Sequence, residues 1–358
     1  MVFTSDAHYG ITRKQFRGDS NVNGHLVNAA MIREINTVPF LSLPADGGVG
    51  AGKKVGAVDY LIQTGDIANR MEPPYPSAAT DWSQFAADYI KGVTLKDQHH
   101  RKTALLLAPG NHDISNAIGF HRIMNPETDP TSMVQMYNLM LHPSKPKTNN
   151  DYNYATDKIN YSKNIQGVHV MFITLWPDSA ERIWMQKDLE SVASKTPVII
   201  FCHDQPTCEV KHFTNPVPPY KMTAENKFEN LVVERYKEGK AAAAGEGAKT
   251  DMEQRGWVKF LKAHPNIKAY FHGNSNWNEF YIYKGPENDV ALNTFRVDSP
   301  MKGRYSANDE TKLSFQLISL DPNTQSLTVR ECLWNTQPGD TAPGIVFGDS
   351  RSVSLKVE

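Results

Sequence analysis

The sequence predicts an α/β fold in which two packed β-sheets are flanked by helices, and three observations carry that prediction. Short runs rich in Val, Ile, Leu and Phe recur without polar alternation, as in strands buried on both faces. Amphipathic stretches of helical length lie between several of them, the order expected of a layered α/β protein. Beyond Phe271 the strand-like runs follow one another with no helix between, which predicts a second, antiparallel sheet packed on the first.

The buried strands are expected at Val2–Ser5, Val58–Thr64, Thr103–Ala108, Val168–Thr174, Val198–Cys202 and Ile267–Phe271. Helices are expected over Val22–Asn36, Trp82–Lys91, Ala180–Ser194 and Asp251–Ala263. Phe280–Tyr283, Thr294–Asp298, Leu313–Asp321 and Ser326–Leu333 supply the later strands. The last two are joined as a hairpin through Asp321-Pro322-Asn323-Thr324. One domain is expected over residues 1–335, with excursions at 121–161 and 209–250 and a tail or edge strand at 336–358. Loops as long as these excursions are usually functional covers or disordered, and the Ala-rich run 240–247 reads as mobile.

Charge is balanced, 38 Lys+Arg against 39 Asp+Glu. No global basic field draws nucleic acid or an anionic membrane, so neither is expected as a partner. No apolar run reaches the ~18 residues of a membrane-spanning helix. Three cysteines, Cys202, Cys208 and Cys332, do not make a disulfide framework. They read as idle thiols, with a Cys202–Cys208 pair as the alternative. The chain opens directly on a core strand, as an exported chain would after removal of a leader; compartment and oligomeric state stay open.

The chemistry sits just after the strands. Asp6-Ala7-His8 follows the first, Gly65-Asp66 the second, and Pro109-Gly110-Asn111-His112-Asp113 the third. His203 follows Val198–Cys202, and His272-Gly273-Asn274-Ser275-Asn276 closes Ile267–Phe271. In a parallel open sheet the carboxyl ends of strands form one rim, where such folds place ligands. Carboxylate, imidazole and amide oxygen are ligands for borderline and hard divalent cations.

These five clusters resemble, in order, the signature blocks of the calcineurin-like metallophosphoesterases, a family that includes purple acid phosphatases and cyclic-nucleotide phosphodiesterases. The blocks span positions 6 to 276, about three quarters of the chain. A bare Gly-Asp carries little, whereas Gly-Asn-His-Asp behind an apolar strand, with Asp-x-His upstream, is specific. The resemblance implies a four-layer αββα sandwich and a hydrolase of small phosphate esters that uses two divalent metal ions. It implies that Asp6 and His8 bind the first ion, that Asp66 bridges, and that Asn111 and His203 bind the second. His112 is not an implied ligand; it would protonate the leaving oxygen, with Asp113 beside it to orient it. The implied reaction is in-line displacement by a hydroxide bridging ions roughly 3.5–4 Å apart.

The last block departs from the family, which usually has Gly-His-x-His there. Asn274 and Asn276 stand at the ligand positions. Amide oxygen is neutral and weaker than imidazole, and it tilts selectivity from zinc toward manganese, magnesium or iron. His272 is the substitute ligand to consider. The double Asn also motivates a second reading, a catalytically impaired member that binds a phosphorylated ligand or partner; retention of the candidate acid His112, and of Asp6, His8, Asp66, Asn111 and His203, argues against it. Monoester and diester specificity is not readable from ligands, and near-neutral charge leans to diesters.

Several features have blander readings. Gly47–Lys54 nearly matches a phosphate-cradling loop, but Lys54 stands where Ser or Thr is required, so a flexible hairpin-like loop is expected. His121 and His212 are the remaining histidines nearest to ligand blocks. Asp204 would orient His203 or be a solvated acid. Trp277–Tyr281 would line a pocket or pack in the core. Arg296, Asp298, Lys302 and Arg304 would meet a phosphate or form surface ion pairs.

Overall fold

The computed structural model of the chain describes residues 1–69, 75–114, 129–154, 156–207 and 251–357. His121, His212, Cys208 and the whole excursion at 209–250 lie outside these residues.

The chain starts on β1 (Val2–Thr4), then forms a hairpin of β2 (Thr12–Phe16) and β3 (Asp19–Asn23) that leads into α1 (Gly24–Ile35). Asn23 caps α1 by accepting from the His25 N–H, satisfying one of the donors a helix start leaves open. Next come β4 (Tyr60–Gln63), α2 (Ala78–Phe85), β5 (Ala104–Leu107), the single turn α3 (Asn111–Ile114) and α4 (Thr131–Leu141). The helix of α2 continues as a wider π-type turn through Lys91. β6 (Tyr161–Ile165), β7 (Val168–Phe172), α5 (Ser179–Leu189), β8 (Val198–Phe201), α6 (Asp251–Ala263) and β9 (Ile267–His272) follow. The chain ends on β10 (Glu279–Tyr283), β11 (Leu292–Arg296), β12 (Ser314–Asp321), β13 (Ser326–Leu333) and β14 (Val346–Ser354). Among the described residues no helix is long and apolar enough to cross a membrane.

Two six-stranded sheets result, ordered β14-β13-β12-β1-β4-β5 and β10-β11-β9-β8-β7-β6. The strands after Phe271 therefore do not form a sheet of their own, contrary to the expectation from sequence. β12 pairs antiparallel with β1, whereas β11 pairs parallel with β9. Each sheet is built on a parallel centre, β1-β4-β5 in the first, where β5 is itself the edge strand, and β7-β8-β9-β11 in the second; antiparallel β12, β13 and β14 extend the first on its other side, and antiparallel β6 and β10 flank the second. An apolar run records that a strand is buried, not which neighbour pairs with it, so the division was hidden.

Both faces of each parallel centre are buried. Val2, Leu61 and Leu107 join a core with Val27, Met31 and Ile35 of α1, while Met171, Ile200 and Tyr270 meet Met185 of α5 and Trp257 of α6. Phe3, Ile62 and Leu106 face the other way, into a core shared with Phe172, Phe201, Phe271 and Phe295 of the second sheet. The order is helices, sheet, sheet, helices, the four layers implied by the family resemblance.

An aromatic file runs across the inner face of the second sheet. Phe172 stacks on Phe201 at 5.3 Å, Phe201 on Phe271 at 4.7 Å, and Phe271 on Phe295 at 4.7 Å. Phe3 of the first sheet meets Phe201 and Phe271 edge-on at 5.4 and 5.7 Å. Such geometry adds to the burial of the rings.

The glycine-rich loop at 44–54 is packed rather than loose. The fully buried Arg330 forks onto both Asp46 oxygens at 2.8 and 2.9 Å and donates to Val49 O. Val49 N–H donates to Thr328 Oγ1. Arg330 holds the Asp46 carboxyl down to about 2. The hairpin β2–β3 was missed because its exposed strands, with the burial of a surface ribbon, carry no apolar run.

Phe3→Ala removes the only ring of the first sheet in this cluster among the contacts above. It is expected to cost about 3–5 kcal/mol, read as a lower urea midpoint with an unchanged m-value. A loss under about 1 kcal/mol would show that the two sheets do not depend on this ring.

Candidate metal centre

The two parallel centres point their carboxyl ends to the same side, and the loops leaving them meet there. Asp6 and His8 follow β1, Asp66 follows β4, and Asn111, His112 and Asp113 make the turn α3 after β5. His203 follows β8, and Asn274 and Asn276 follow β9. The rim is therefore shared between two sheets, not carried by one. Asp6 N–H donates to Gly65 O, His8 N–H to Asp66 O and Tyr9 N–H to Ile67 O, so the first two loops stay paired beyond their strands.

Five of these residues take left-handed backbone conformations: Asp6 (φ 54°), His8 (43°), Asp66 (52°), Asn274 (60°) and Asn276 (63°). Non-glycine residues rarely do this, and such strain collects at functional sites. Two glycines allow the loops to close. A Cβ on Gly110 would strike the Asp66 carboxylate and backbone and the His203 ring, and one on Gly273 would strike Ser5 Oγ and Asp6 Oδ2.

Asp66 is at the middle of the cluster. His8 Nε2 lies 3.6 Å from Asp6 Oδ1 and 3.6 Å from Asp66 Oδ2. His203 Nε2 lies 3.1 Å from Asn111 Oδ1 and 3.5 Å from Asp66 Oδ1. His112 Nε2 lies 3.8 Å from Asp66 Oδ2, and its backbone N–H donates to Asp66 Oδ1 at 2.8 Å. Ligand atoms of Asp6, Asp66 and His203 fall within 4.8 Å of one another, as do those of His8, Asp66 and His112. The two groups share Asp66. The second places His112 as near as the implied ligands, although the resemblance does not make it one.

These residues fit a pair of divalent cations. Asp6 Oδ1, both ring nitrogens of His8 and Asn276 Oδ1 are buried without a hydrogen-bond partner. Buried polar atoms are rarely left this way unless something else binds them. Burial would lower His203, but the Asp66 and Asp6 carboxylates outweigh it and raise the imidazole well above its ordinary value. Burial would raise Asp66, but His203, His112 and His8 draw it well below the carboxylate range. Burial raises Asp6 to about 6. The oxygens converging here thus select for positive charge.

The imidazoles are oriented by backbone oxygens. His203 Nδ1 donates to Thr64 O at 2.6 Å and His112 Nδ1 to Asn69 O at 2.6 Å. Each bond fixes a tautomer whose Nε2 faces the cluster. Asp113, expected to orient His112, does so only through the main chain. Its carboxylate accepts from Ile67, Ala68 and Gly110 N–H and ties the second loop to the third. Asp204 is fully buried and thus no solvated acid. His272 is no substitute ligand: Nδ1 bonds Gly273 O and Nε2 bonds the Tyr281 hydroxyl.

The last loop reaches the cluster through Asn274. Asn274 N–H donates to Asp6 Oδ2 at 2.9 Å. Gln205, which sequence reasoning passed over, accepts from Asn274 Nδ2 and Ser275 Oγ, both at 3.1 Å. Thr64, Asn69 and Ser299, whose Oγ donates to Asp6 O, were also passed over. Carbonyls carry no side-chain signal, and a lone Gln or Ser carries none that is distinctive.

Beside Asn276, a cavity of about 440 Å³ is lined by Trp277, Asp298, Arg304 and Tyr305 among others. Arg304 N–H donates to Asn276 O at 2.6 Å. Arg296 is an ion-pair residue, bonded to Glu279 at 2.6 Å with its guanidinium 3.7 Å from the Trp277 ring centre. Cys202 and Cys332 are buried free thiols.

Under the floor of the site lies Asp81 of α2, fully buried, with neither carboxylate oxygen hydrogen-bonded. Burial, helped by Asp129 and Asp113, raises it from 3.8 to about 8.

Comparison with known proteins follows these lines. Residues 2–290 match the family described as calcineurin-like phosphoesterase. A dimetal phosphatase from Danio rerio has a similar fold, with a TM-score of 0.50 and 7% identity over 99% of this chain and 98% of that one. The phosphopantetheinyl hydrolase of Mycobacterium tuberculosis aligns at a TM-score of 0.35 and 12% identity, over 86% of this chain and 93% of its own. None of the curated proteins matches in sequence.

Two outcomes are expected. Gly110→Ala is expected to cost about 1–3 kcal/mol by overpacking and to weaken manganese uptake in calorimetric titration; unchanged uptake would mean the close approach is dispensable. Asp81, with its native pKa above the unfolded value, keeps a proton that the unfolded chain releases. Stability from this group is therefore full below pH 3.8 and is lost as pH rises toward about 8. Asp81→Asn is expected to gain in urea midpoint over wild type between pH 5 and pH 9; a difference that does not vary with pH would refute the shift.

Proposed function

Because the chain belongs to the calcineurin-like phosphoesterase family, we propose that it hydrolyses phosphate esters, leaning to diesters, with two divalent ions held by Asp6, His8, Asp66, Asn111, His203, Asn274 and Asn276. The observation that carries this reading is the convergence on Asp66 of two groups of buried ligand atoms from loops of both sheets. When bound, the ions supply Lewis acidity toward the phosphoryl oxygens and lower the pKa of the attacking water.

The chain's own residues do the rest. Asp66, held anionic between three imidazoles, is the oxygen donor common to both positions. His112 is the least buried imidazole of the cluster, and its Nδ1–H is committed to Asn69 O. As the imidazolium, His112 would therefore give its Nε2 proton to the leaving oxygen as the phosphorus–oxygen bond breaks and be left as the neutral ring with its proton on Nδ1. Asp113 keeps the loops of Asp66 and His112 at a fixed distance. Oxygen donors at 274 and 276 favour manganese, magnesium or iron over zinc. The engagement of Arg296 by Glu279 supports a diester, since that guanidinium is not available to a dianion. The cavity next to Asn276 has room for an ester's organic group. The expected partner is thus a small-molecule ester rather than a nucleic acid or membrane.

The deciding experiment is hydrolysis of bis(p-nitrophenyl) phosphate and of the monoester by chelator-stripped protein, with and without manganese. Turnover only with metal, faster on the diester, is expected. His112→Ala is expected to lower kcat roughly 10²–10⁴-fold while manganese uptake persists, whereas Asp66→Ala loses both. No turnover on either ester with manganese, magnesium, iron or zinc would sink the hydrolase reading.

A further inference from the structure

The two asparagines that replace the family's usual histidines are held in a definite sense. Asn276 Nδ2 donates to Asn274 O at 2.7 Å, and Asn274 Nδ2 donates to Gln205 Oε1 at 3.1 Å. A carboxamide has a donor end and an acceptor end. Engaging the nitrogen leaves the oxygen as the atom to offer elsewhere. For Asn276 that oxygen is buried without a hydrogen-bond partner.

The reverse orientation is disfavoured. Gln205 Oε1 is an acceptor that already receives Ser275 Oγ at 3.1 Å. Turning Asn274 over would set its own oxygen against that oxygen. It would also present an amide NH₂, which cannot ligate, to a cation. Gln205 is itself anchored: it is 8% exposed, and its backbone oxygen accepts from Nε1 of the buried Trp176 at 3.0 Å. It lies two residues after His203, so a ligand and the group that orients another ligand share one loop.

We propose that Gln205 is a positioning residue for the metal centre, fixing Asn274 as an oxygen donor and making the centre selective for oxygen-preferring divalent cations such as manganese and magnesium. This rests on the two-cation reading of the site. The asparagine residue type alone does not secure the selectivity, because an unrestrained amide offers either end. Asn276 needs no such residue, since the backbone carbonyl of Asn274 performs the same task.

The test is calorimetric titration of stripped protein with manganese chloride, with the paramagnetic resonance of bound manganese as a second readout; neither depends on turnover. Wild type is expected to take up two ions. Gln205→Leu is expected to weaken one of the two positions by roughly 10–100-fold, as loss of a ligand-orienting partner does, and to leave the other unchanged. Gln205→Glu keeps the acceptor oxygen and is expected to keep both. Asn274→Ala is expected to reproduce the loss, and the double variant Gln205→Leu/Asn274→Ala to bind no more weakly than either single one. Wild-type affinity at both positions in Gln205→Leu, additive losses in the double variant, or a loss in Gln205→Glu equal to that in Gln205→Leu overturns the proposal while leaving the two-cation reading in place. Should Gln205→Leu not fold, Gln205→Ala, which also removes the acceptor oxygen, carries the same decision against Gln205→Glu. A wild type that takes up no ion overturns both.

Discussion

The contact between Phe3 and the aromatic file of the second sheet is the constraint on which the site depends. The candidate metal ligands come from two sheets with no strand pairing between them, so side-chain packing, joined by a few hydrogen bonds between the loops such as His203 Nδ1 to Thr64 O, sets how their rims align. Phe3 precedes Asp6 by three residues, Phe201 precedes His203 by two, and Phe271 precedes Asn274 by three. Rings that interlock at 5.4 and 5.7 Å therefore fix, within two or three residues of the candidate ligands, the relation between the Asp6 and the His203 and Asn274 loops. Protein interiors are close-packed and transmit strain. A slip between the layers would be felt directly at the oxygens that must meet one cation.

Beyond that contact the loops bear the cost of convergence. Five candidate ligands sit at positive φ, where residues with a Cβ are strained. The strain is offset by hydrogen bonds that pin each loop to the next. Asp6 and His8 are tied to the loop of Asp66 through main-chain bonds, and Asp113 ties that loop to Gly110. Asn274 N–H is tied to Asp6 itself. The ring of loops closes on its first member.

The sequence made legible what depends on residue type. Buried strands, their order and the clusters after them are written in apolar runs and in Gly-Asn-His-Asp, and the structure places those clusters together. It left illegible what depends on partner choice. Val, Ile and Phe do not say whether β12 pairs with β1 or with β11, so the two-sheet split went unseen. A hairpin exposed like β2–β3 has no apolar signature. The loop at 44–54 looks free until Arg330, 284 residues from Asp46, is seen to hold it. Thr64 and Asn69 act through backbone carbonyl oxygens, which every residue carries, and Gln205 through a side-chain amide that nothing in the sequence sets apart.

The replacement of imidazole by amide at 274 and 276 leaves the charge of the ligand set unchanged, since both are neutral as ligands. Asp6 and Asp66 remain the carboxylates of the set in either case. A lean toward diesters therefore cannot come from ligand charge and must rest on the cations around the centre. Arg296 is committed to Glu279 and to the Trp277 ring. Lys302 lies close enough to help burial hold His8 well below its ordinary value. A dianionic monoester draws more from surrounding cations than a monoanionic diester does, because its second charge must also be offset in a low-dielectric site. Under the proposed function the commitment of Arg296 bears on ester class and the amide oxygens on the metal, so the proposal assigns the two properties to separate parts of the same rim.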